Sequence, residues 1–184
     1  REISYRGVMY KKVNKENFIR SDYGKDLIEH KVSNFKKENV GIALIARLKS
    51  KRLSRKVLRM FYKNEMIVDL YDRIKSTNIP IYLCTSNMKE DDDLVNVANK
   101  SNIPIFRGHA ESVIDRMLEL CVDKKLGAIF RVTGDNPFTD PYLTTKMFEL
   151  FLEEDLDYVR INGAPFGMTC ELFSAKYLWN LYKE

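Results

Sequence analysis

Six cationic side chains are crowded into the stretch ARLKSKRLSRKVL, residues 46–58, which follows a short apolar run at residues 41–45. Arginine presents a planar fork of donors that fits phosphate oxygens, and lysine presents a mobile point charge. The stretch therefore predicts a loop that binds an anion with several charges; the alternative is a solvated basic loop before a helix. A Walker loop is excluded, because no GxxxxGK[ST] pattern occurs in the chain. The cations are Arg47, Lys49, Lys51, Arg52, Arg55 and Lys56.

A second candidate stretch, RVTGDNPFTDP at residues 131–141, places a carboxylate just behind another apolar run at residues 128–132. Gly134 is expected to let the backbone turn there, so that Asp135 stands at the end of a strand. A carboxylate in that position, opposite a cationic loop, is well placed to hold Mg²⁺ against phosphate oxygens. The alternative is that TGD is only a turn. Asp140 is expected to cap the following helix.

Short apolar runs alternate with amphipathic stretches after residue 40, and this order predicts an α/β fold with a parallel sheet covered by helices on both faces. Ligands of such sheets bind beyond the carboxyl ends of the strands, which selects the loops that begin at Arg47, Thr85, Arg107, Thr133 and Asn162. The predicted strands are residues 42–46, 79–84, 103–106, 128–132 and 158–161, and the predicted helices are residues 66–74, 91–98, 112–121, 141–152 and 174 onward.

Length, charge and cysteine content narrow the class of protein. The length of 184 residues suits one domain or one domain plus an appendage, and the net charge of +5 falls short of that of a nucleic-acid packing protein. Three cysteines without a CxxC pair argue against a disulfide framework or a zinc site and fit a reducing cytoplasm. No apolar run approaches the roughly 20 residues of a membrane span, and no signal peptide is visible.

The composition divides the chain near residue 40. Residues 1–40 are polar and Lys-rich and are interpreted as a basic segment or linker, while residues 41–184 form the predicted domain. The chain opens on Arg1 rather than Met and stops inside a helical pattern, so the domain is interpreted as a C-terminally truncated piece of a longer protein.

Six stretches within residues 41–173 resemble the motifs of one protein family and occur in the same order. Together they resemble the cytidylyltransferases of the spore-coat-polysaccharide type, relatives of the CMP-sialate and CMP-Kdo synthetases. The stretches are ARLKSKRLSRKVL, LCTSN, EDDDLVNVANKSNIPIFRG, SVIDRM, RVTGDNPFTDP and GMTCELF. The resemblance implies a Rossmann-like, mostly parallel sheet with helices on both faces, of the nucleotide-diphospho-sugar transferase type. It also implies transfer of CMP from CTP to a sugar acid with release of pyrophosphate, a Mg²⁺ cofactor and a possible homodimer.

The resemblance also implies roles for individual residues. Asp135 would hold Mg²⁺ and act in catalysis together with Arg52 and Lys56. Thr85 and Ser86 would lie by the nucleobase. The residues implied to bind the nucleotide are Arg47, Ser50, Arg52, Lys56, Thr85, Ser86, Arg107 and Arg131.

The last stretch departs from the family pattern at a metal ligand. Thr169 stands where the family carries an aspartate two residues before its glutamate. Three explanations stay open: Glu171 substitutes as a second ligand, since strand alternation could point it to the same side; Asp135, CTP and water hold the metal; or activity is weak or lost. A non-catalytic nucleotide or sugar-nucleotide binding module is therefore the alternative function.

Other patterns have weaker functional interpretations. A nucleic-acid binder that uses the basic N-terminus and residues 47–56 is disfavoured by the acidic residues elsewhere. Residues 13–27 faintly resemble the antifreeze-like domain that ends sialic acid synthases, which would imply a nine-carbon sugar acid as acceptor; the alternative is a linker or a tail packed on the sheet edge. His109 is a minor candidate near the site. The acidic triple that begins at Asp91 is interpreted as a helix N-terminus favoured by the macrodipole.

Overall fold

A computed structural model describes residues 32–49 and 55–183, where strands and helices alternate along the chain. The resemblance at residues 13–27 lies outside this part, as do Ser50 and Arg52. The strands are β1 Val40–Ile45, β2 Ile81–Ser86, β3 Ile105–Gly108, β4 Ala128–Thr133, β5 Tyr158–Arg160 and β6 Glu171–Ser174, and the helices are α1 Met66–Ile74, α2 Asp92–Lys100, α3 Val113–Lys124, α4 Pro141–Glu153 and α5 Ala175–Lys183.

The strands form one six-stranded, mostly parallel sheet in the order β3-β2-β1-β4-β6-β5. β1 pairs in parallel with both β2 and β4, and β2 pairs in parallel with β3. The predicted fold class is confirmed. The sequence prediction missed β6, which runs antiparallel to its neighbours β4 and β5. A strand of four residues offers little periodicity, and its pairing with β4 depends on contacts distant in sequence.

The sheet is covered on both faces because successive strand residues point in opposite directions. In β1, Ile42 and Leu44 pack against one apolar cluster and Ala43 packs against the other. The first cluster is completed by α1, α2 and α4, and the second by α3 and α5. Cys84, Cys121 and Cys170 are free and buried. No helix in the described ranges is long and apolar enough to cross a membrane.

Residues 32–39 pack against the amino edge of the sheet, where β1 and β4 begin. Val32 is 2% exposed and belongs to the second cluster. The ammonium of Lys37 donates to Asp155 Oδ1 at 2.8 Å and to the carbonyl of Leu156 at 2.8 Å, just before β5. The backbone of Lys36 passes so close to Gly127 that a Cβ at Gly127 would lie 2.0 Å from the Lys36 carbonyl oxygen.

Charged side chains are buried between α3 and the sheet. Asp115, Arg116 and Glu119 are 2%, 0% and 5% exposed. Arg116 donates to the carbonyl of Cys84 at 3.5 Å, and Glu119 Oε2 accepts the backbone N–H of His109 at 3.1 Å. These contacts tie α3 to the ends of β2 and β3, so the buried charges fix the helix against the carboxyl half of the sheet.

Replacement of Gly127 by alanine is expected to destabilise the protein by about 2 kcal/mol or more, since backbone must move to make room for the new Cβ. Gly41→Ala is the matched control, because its Cβ would meet the mobile end of the Leu126 side chain at 2.7 Å instead of a backbone atom. Denaturant unfolding measures both variants. Equal losses in the two would contradict the close docking of residue 36 against Gly127.

The buried carboxyl of Asp115 makes the free energy of unfolding fall as the pH rises. Burial raises the pKa of Asp115 to about 6, with Glu119 adding to the rise and His109 opposing it. A carboxyl with a raised folded-state pKa favours the folded state below its unfolded value of 3.8 and loses that contribution as the pH rises through 6. We therefore expect the stability of the wild type relative to Asp115→Asn to fall by about 3 kcal/mol at most between pH 4 and pH 7. A pH-independent difference would contradict the burial of this carboxyl.

Candidate functional site

The predicted site residues gather at one edge because β1, β2, β3 and β4 run in the same direction. Ser86 and Arg107 lie at the carboxyl ends of β2 and β3, and Arg47 and Asp135 lie in the loops that follow β1 and β4. Carboxyl ends of parallel strands are the usual place for a ligand in such a sheet. The described structure therefore brings the cationic stretch and the TGD stretch to one side of the molecule.

Lys56 and Asp135 are in direct contact across this edge. The Lys56 ammonium donates to Asp135 Oδ2, and the two side chains are 28% and 39% exposed. Burial by itself would raise the pKa of Asp135, but the hydrogen bond and charge of Lys56, with help from Thr133, lower it below its usual value. Asp135 is therefore firmly anionic at neutral pH, and the pair places one cation and one carboxylate at the same point.

Gly134 lies in the turn that follows β4, as the sequence predicts, and it is also closely packed. The left-handed glycines of the described residues are Gly163 and Gly167, and Gly134 is not among them. Its N–H donates to the carbonyl of Ile45 at 2.8 Å, and an added Cβ would lie 3.0 Å from the Cβ of Ala46. A Cβ at this position would require its neighbours to shift by a few tenths of an ångström.

Arg47 joins the end of β1 to the loop between β3 and α3. Its Nη1 lies 3.3 Å from both the carbonyl of Ala110 and Glu111 Oε2. Arg47 also lines a small cleft at this edge. The other lining residues are Lys49, Ser86, Met88, Glu90, Asp91, Ala110 and Glu111. A phosphate group could reach Arg47 from solvent, since its side chain is 40% exposed.

Thr85 and Ser86 point toward a carboxylate that the sequence analysis did not identify as part of the site. Asp91 is 2% exposed and accepts hydrogen bonds from both hydroxyls, at 3.0 Å for Thr85. Asp91 also accepts the N–H of Leu48, at the start of the cationic stretch, at 2.7 Å. Asp91 therefore stands at the N-terminus of α2, as predicted, and is in addition a buried link between the end of β2 and the loop after β1. The nucleobase roles of Thr85 and Ser86 stay predictions.

Arg107 supports the loop that follows β2. Its Nε donates to the carbonyl of Ser86 at 3.0 Å, its Nη2 to the carbonyl of Met88 at 2.8 Å, and its Nη1 pairs with Asp92 at 2.8 Å. A planar guanidinium suits this simultaneous binding of several oxygens. Its side chain is 31% exposed, and its predicted contact with the nucleotide stays a prediction.

Arg131 and Glu171 form an ion pair between β4 and β6, where their Cα atoms are register partners. The other carboxylate oxygen of Glu171 accepts the hydroxyl of Tyr158 at 3.0 Å. A role for Glu171 as second metal ligand therefore requires it to give up these partners. A role for Arg131 in nucleotide binding likewise competes with this pair.

The stretch that contains Thr169 lies beside the TGD loop. The N–H of Asp140 donates to the carbonyl of Met168 at 2.9 Å, and a Cβ at Gly167 would lie 3.6 Å from Asn136 Oδ1. Asp140 also accepts the N–H of Leu143 at 3.0 Å, which confirms its predicted capping role at α4. The two motifs that carry Asp135 and Thr169 are thus adjacent in the fold.

The donor set fits a magnesium ion that its nucleotide largely coordinates. No group of three or more His, Cys, Asp or Glu side chains within the described ranges could hold a metal by itself. Asp135 offers one partly exposed carboxylate at the site edge. Mg²⁺ commonly takes one or two protein carboxylates and completes its shell with phosphate oxygens and water. Asp135 is accordingly the candidate protein ligand.

The fold is that of the nucleotide-diphospho-sugar transferases. A CMP:2-keto-3-deoxy-manno-octonic acid synthetase, solved in complex with CTP, matches with a TM-score of 0.65 at 15% identity over 79% of this chain and 78% of that one. A cytidylyltransferase from Leptospira borgpetersenii serovar Hardjo-bovis matches with a TM-score of 0.74 at 28% identity, over 79% of this chain and 64% of that one.

The chain belongs to the cytidylyltransferase family, whose model matches residues 42–184. It is 34% identical over 139 residues to the spore coat polysaccharide biosynthesis protein SpsF of Bacillus subtilis. That match covers 72% of this chain and 58% of the relative, so the chain spans little more than half of the relative's length. The family resemblance of the six stretches is confirmed.

Lys56→Ala is expected to raise the pKa of Asp135, because its hydrogen-bonded cation is removed. The stability at neutral pH should fall by less than about 1 kcal/mol, since the pair is partly exposed. A carboxyl with a lowered pKa contributes this stability above its unfolded value of 3.8, so the difference disappears as the pH falls below that value. Carbon NMR titration of the Asp135 carboxyl measures the shift; an unchanged pKa would contradict the ion pair. Lys75→Ala, which breaks the exposed Lys75–Asp72 pair, is the control.

Proposed function

We propose that the chain is the catalytic part of an enzyme that transfers CMP from CTP to a sugar acid and releases pyrophosphate, in surface polysaccharide biosynthesis. The observation that carries the proposal is the contact between Lys56 and Asp135 at the carboxyl edge of a cytidylyltransferase-family sheet. The names of the Bacillus relative and of the synthetase solved with CTP support the nucleotide and the sugar chemistry.

The proposed reaction is a displacement at the α-phosphorus of CTP. An acceptor oxygen forms a bond to that phosphorus, the bond to the oxygen bridging the α- and β-phosphates breaks, and pyrophosphate leaves with the electron pair. The acceptor proton passes to solvent. Negative charge builds on the α-phosphate and the leaving group, so fixed cations lower the barrier more than they stabilise the ground state.

The side chains at the edge suit this chemistry. Lys56 and Arg47 are partly exposed cations that can turn from their acidic partners toward phosphate oxygens. Ser50 and Arg52 belong to the same stretch by sequence and are assigned to the triphosphate with them. Their shared task is to hold the triphosphate so that the acceptor can approach in line with the leaving pyrophosphate.

We assign magnesium to Asp135, with phosphate oxygens and water as its remaining ligands. The metal would neutralise part of the triphosphate charge when bound. Glu171 is the second candidate ligand only if it leaves Arg131 and Tyr158. Thr85 and Ser86 are assigned to the nucleobase side because they end β2 beside the cleft that Ser86 lines.

The first test is the thermal unfolding midpoint with CTP, UTP, ATP or GTP, each with and without Mg²⁺. A ligand that binds only the folded state stabilises it by about 2.7 kcal/mol at a hundredfold excess over its dissociation constant. We expect a shift that is selective for CTP and dependent on Mg²⁺. Pyrophosphate release with a panel of sugar acids then tests transfer. A CTP shift with no release for any acceptor would favour the non-catalytic binding module, and no nucleotide shift would overturn the proposal.

Asp135→Asn is expected to remove the Mg²⁺-dependent part of CTP binding, because an amide is a much poorer magnesium ligand than a carboxylate. Calorimetric titration with CTP should show at least tenfold weaker binding in the presence of Mg²⁺, which corresponds to a loss of about 1.4 kcal/mol or more. The loss of affinity in the absence of Mg²⁺ should be smaller. Asp123→Asn, at an exposed carboxylate near the far end of α3, is the control. Equal CTP affinity in wild type and Asp135→Asn would remove the metal assignment.

A further inference from the structure

Asp91 is the most heavily bonded buried carboxylate at the carboxyl edge. Its Oδ1 accepts the N–H of Leu48 at 2.7 Å. Its Oδ2 accepts the hydroxyl of Thr85 at 3.0 Å, the N–H of Ser86 at 3.2 Å and the hydroxyl of Ser86. Asp91 itself lies in a short 3-10 turn before α2, so one side chain joins three separate segments of the chain.

The two carboxylate oxygens of Asp91 bind different sides of the candidate site, which are the loop after β1 and the end of β2. Oδ1 holds the backbone one residue after Arg47, where the cationic stretch leaves β1. Oδ2 holds the end of β2, where the nucleobase is assigned. Backbone N–H groups and hydroxyls bonded to a carboxylate make stronger hydrogen bonds than those to neutral acceptors. A displacement on either side is therefore transmitted to the other through one rigid group.

The surroundings of Asp91 keep this carboxylate in one position. It is 2% exposed, and Arg116 of α3, which is fully buried, holds the strand that carries Thr85 and Ser86. Arg116 is itself fixed to the carbonyl of Cys84 in β2 at 3.5 Å. On the outer side, Arg107 clamps the carbonyls of Ser86 and Met88. The link is thus buried beside a strand that Arg116 holds and a loop that Arg107 braces.

We infer that Asp91 is a positioning residue that couples the nucleobase side of the site to the triphosphate loop. The inference rests on the proposed function. Asp91 would not touch the nucleotide; it would set the position of Leu48, and through it Arg47, relative to Thr85 and Ser86. Binding at one side would then depend on the integrity of the contacts at the other.

Inorganic tripolyphosphate separates this role from direct contact with the base, because it has no base. Asp91→Asn keeps the size of the side chain, but its amide cannot replace the acceptor bonds of both oxygens. Thr85→Val removes one hydroxyl donor from the nucleobase side and leaves the Leu48 contact in place. If Asp91 couples the two sides, both variants bind tripolyphosphate more weakly. We expect about tenfold weaker binding for Asp91→Asn and about threefold for Thr85→Val.

The experiment is calorimetric titration of the same chain with tripolyphosphate and with CTP. Both titrations are run at a temperature well below the unfolding midpoint of each variant. Asp123→Asn should match the wild type for both ligands, because its side chain is exposed and contacts Lys124. A purely structural role for Asp91 would lower the midpoint but leave both affinities unchanged, and that result would overturn the inference. If Asp91→Asn does not fold, the Thr85→Val variant tests the coupling by itself. A tripolyphosphate affinity of Thr85→Val equal to that of the wild type overturns the coupling.

The two proposals fail in different ways. Wild-type protein that binds neither CTP nor tripolyphosphate overturns the proposed function and the coupling with it. Wild-type protein that binds both, with Asp91→Asn and Thr85→Val equal to it for tripolyphosphate, overturns the coupling and leaves the proposed function standing. Thr85→Val that loses affinity for CTP but not for tripolyphosphate assigns Thr85 to direct base contact and also overturns the coupling.

Discussion

Charge compensation at the carboxyl edge is the constraint on which the site depends. Parallel strands bring their carboxyl ends and the following loops together, and these segments carry arginines and lysines that would repel one another if left alone. Each of five such cations is paired with an acidic side chain from a different segment. The pairs are Arg47–Glu111, Arg55–Asp93, Lys56–Asp135, Arg107–Asp92 and Arg131–Glu171. The acidic residues therefore allow the cations to be assembled before any anion arrives.

These pairs differ in how easily they can be exchanged for phosphate. Arg55 and Asp93 are each more than half exposed, so their attraction is weak and screened by salt. Arg107 is bound to two carbonyls as well as to Asp92, and it would lose more by turning away. The cationic stretch is thus the exchangeable side of the edge, and the β3 side is the fixed one. Asp91 connects the two.

The sequence predicts the parts of the fold that depend on local pattern. Helix α1 has the predicted limits because its apolar residues recur at helical spacing, and the predicted cap at Asp140 follows from side-chain chemistry alone. The approach of the TGD loop to the cationic stretch follows from the strand-end rule. The inward turn of Asp91 depends on Leu48, which precedes it by 43 residues, as well as on Thr85 at the end of the preceding strand. The short strand β6 and the close packing around Gly134 likewise arise only from tertiary contacts.

The packing of residues 32–39 against the amino edge of the sheet affects where a surface tether or a reporter protein can be joined to the chain. Lys37 and the backbone of Lys36 hold the chain beside Gly127 and the turn before β5, at the end of the sheet opposite the candidate site. A surface tether or reporter protein joined upstream of Val32 would pull on that edge and leave the loops after β1, β2 and β4 open to solution. Immobilised protein oriented in this way should present its cationic face uniformly to small ligands.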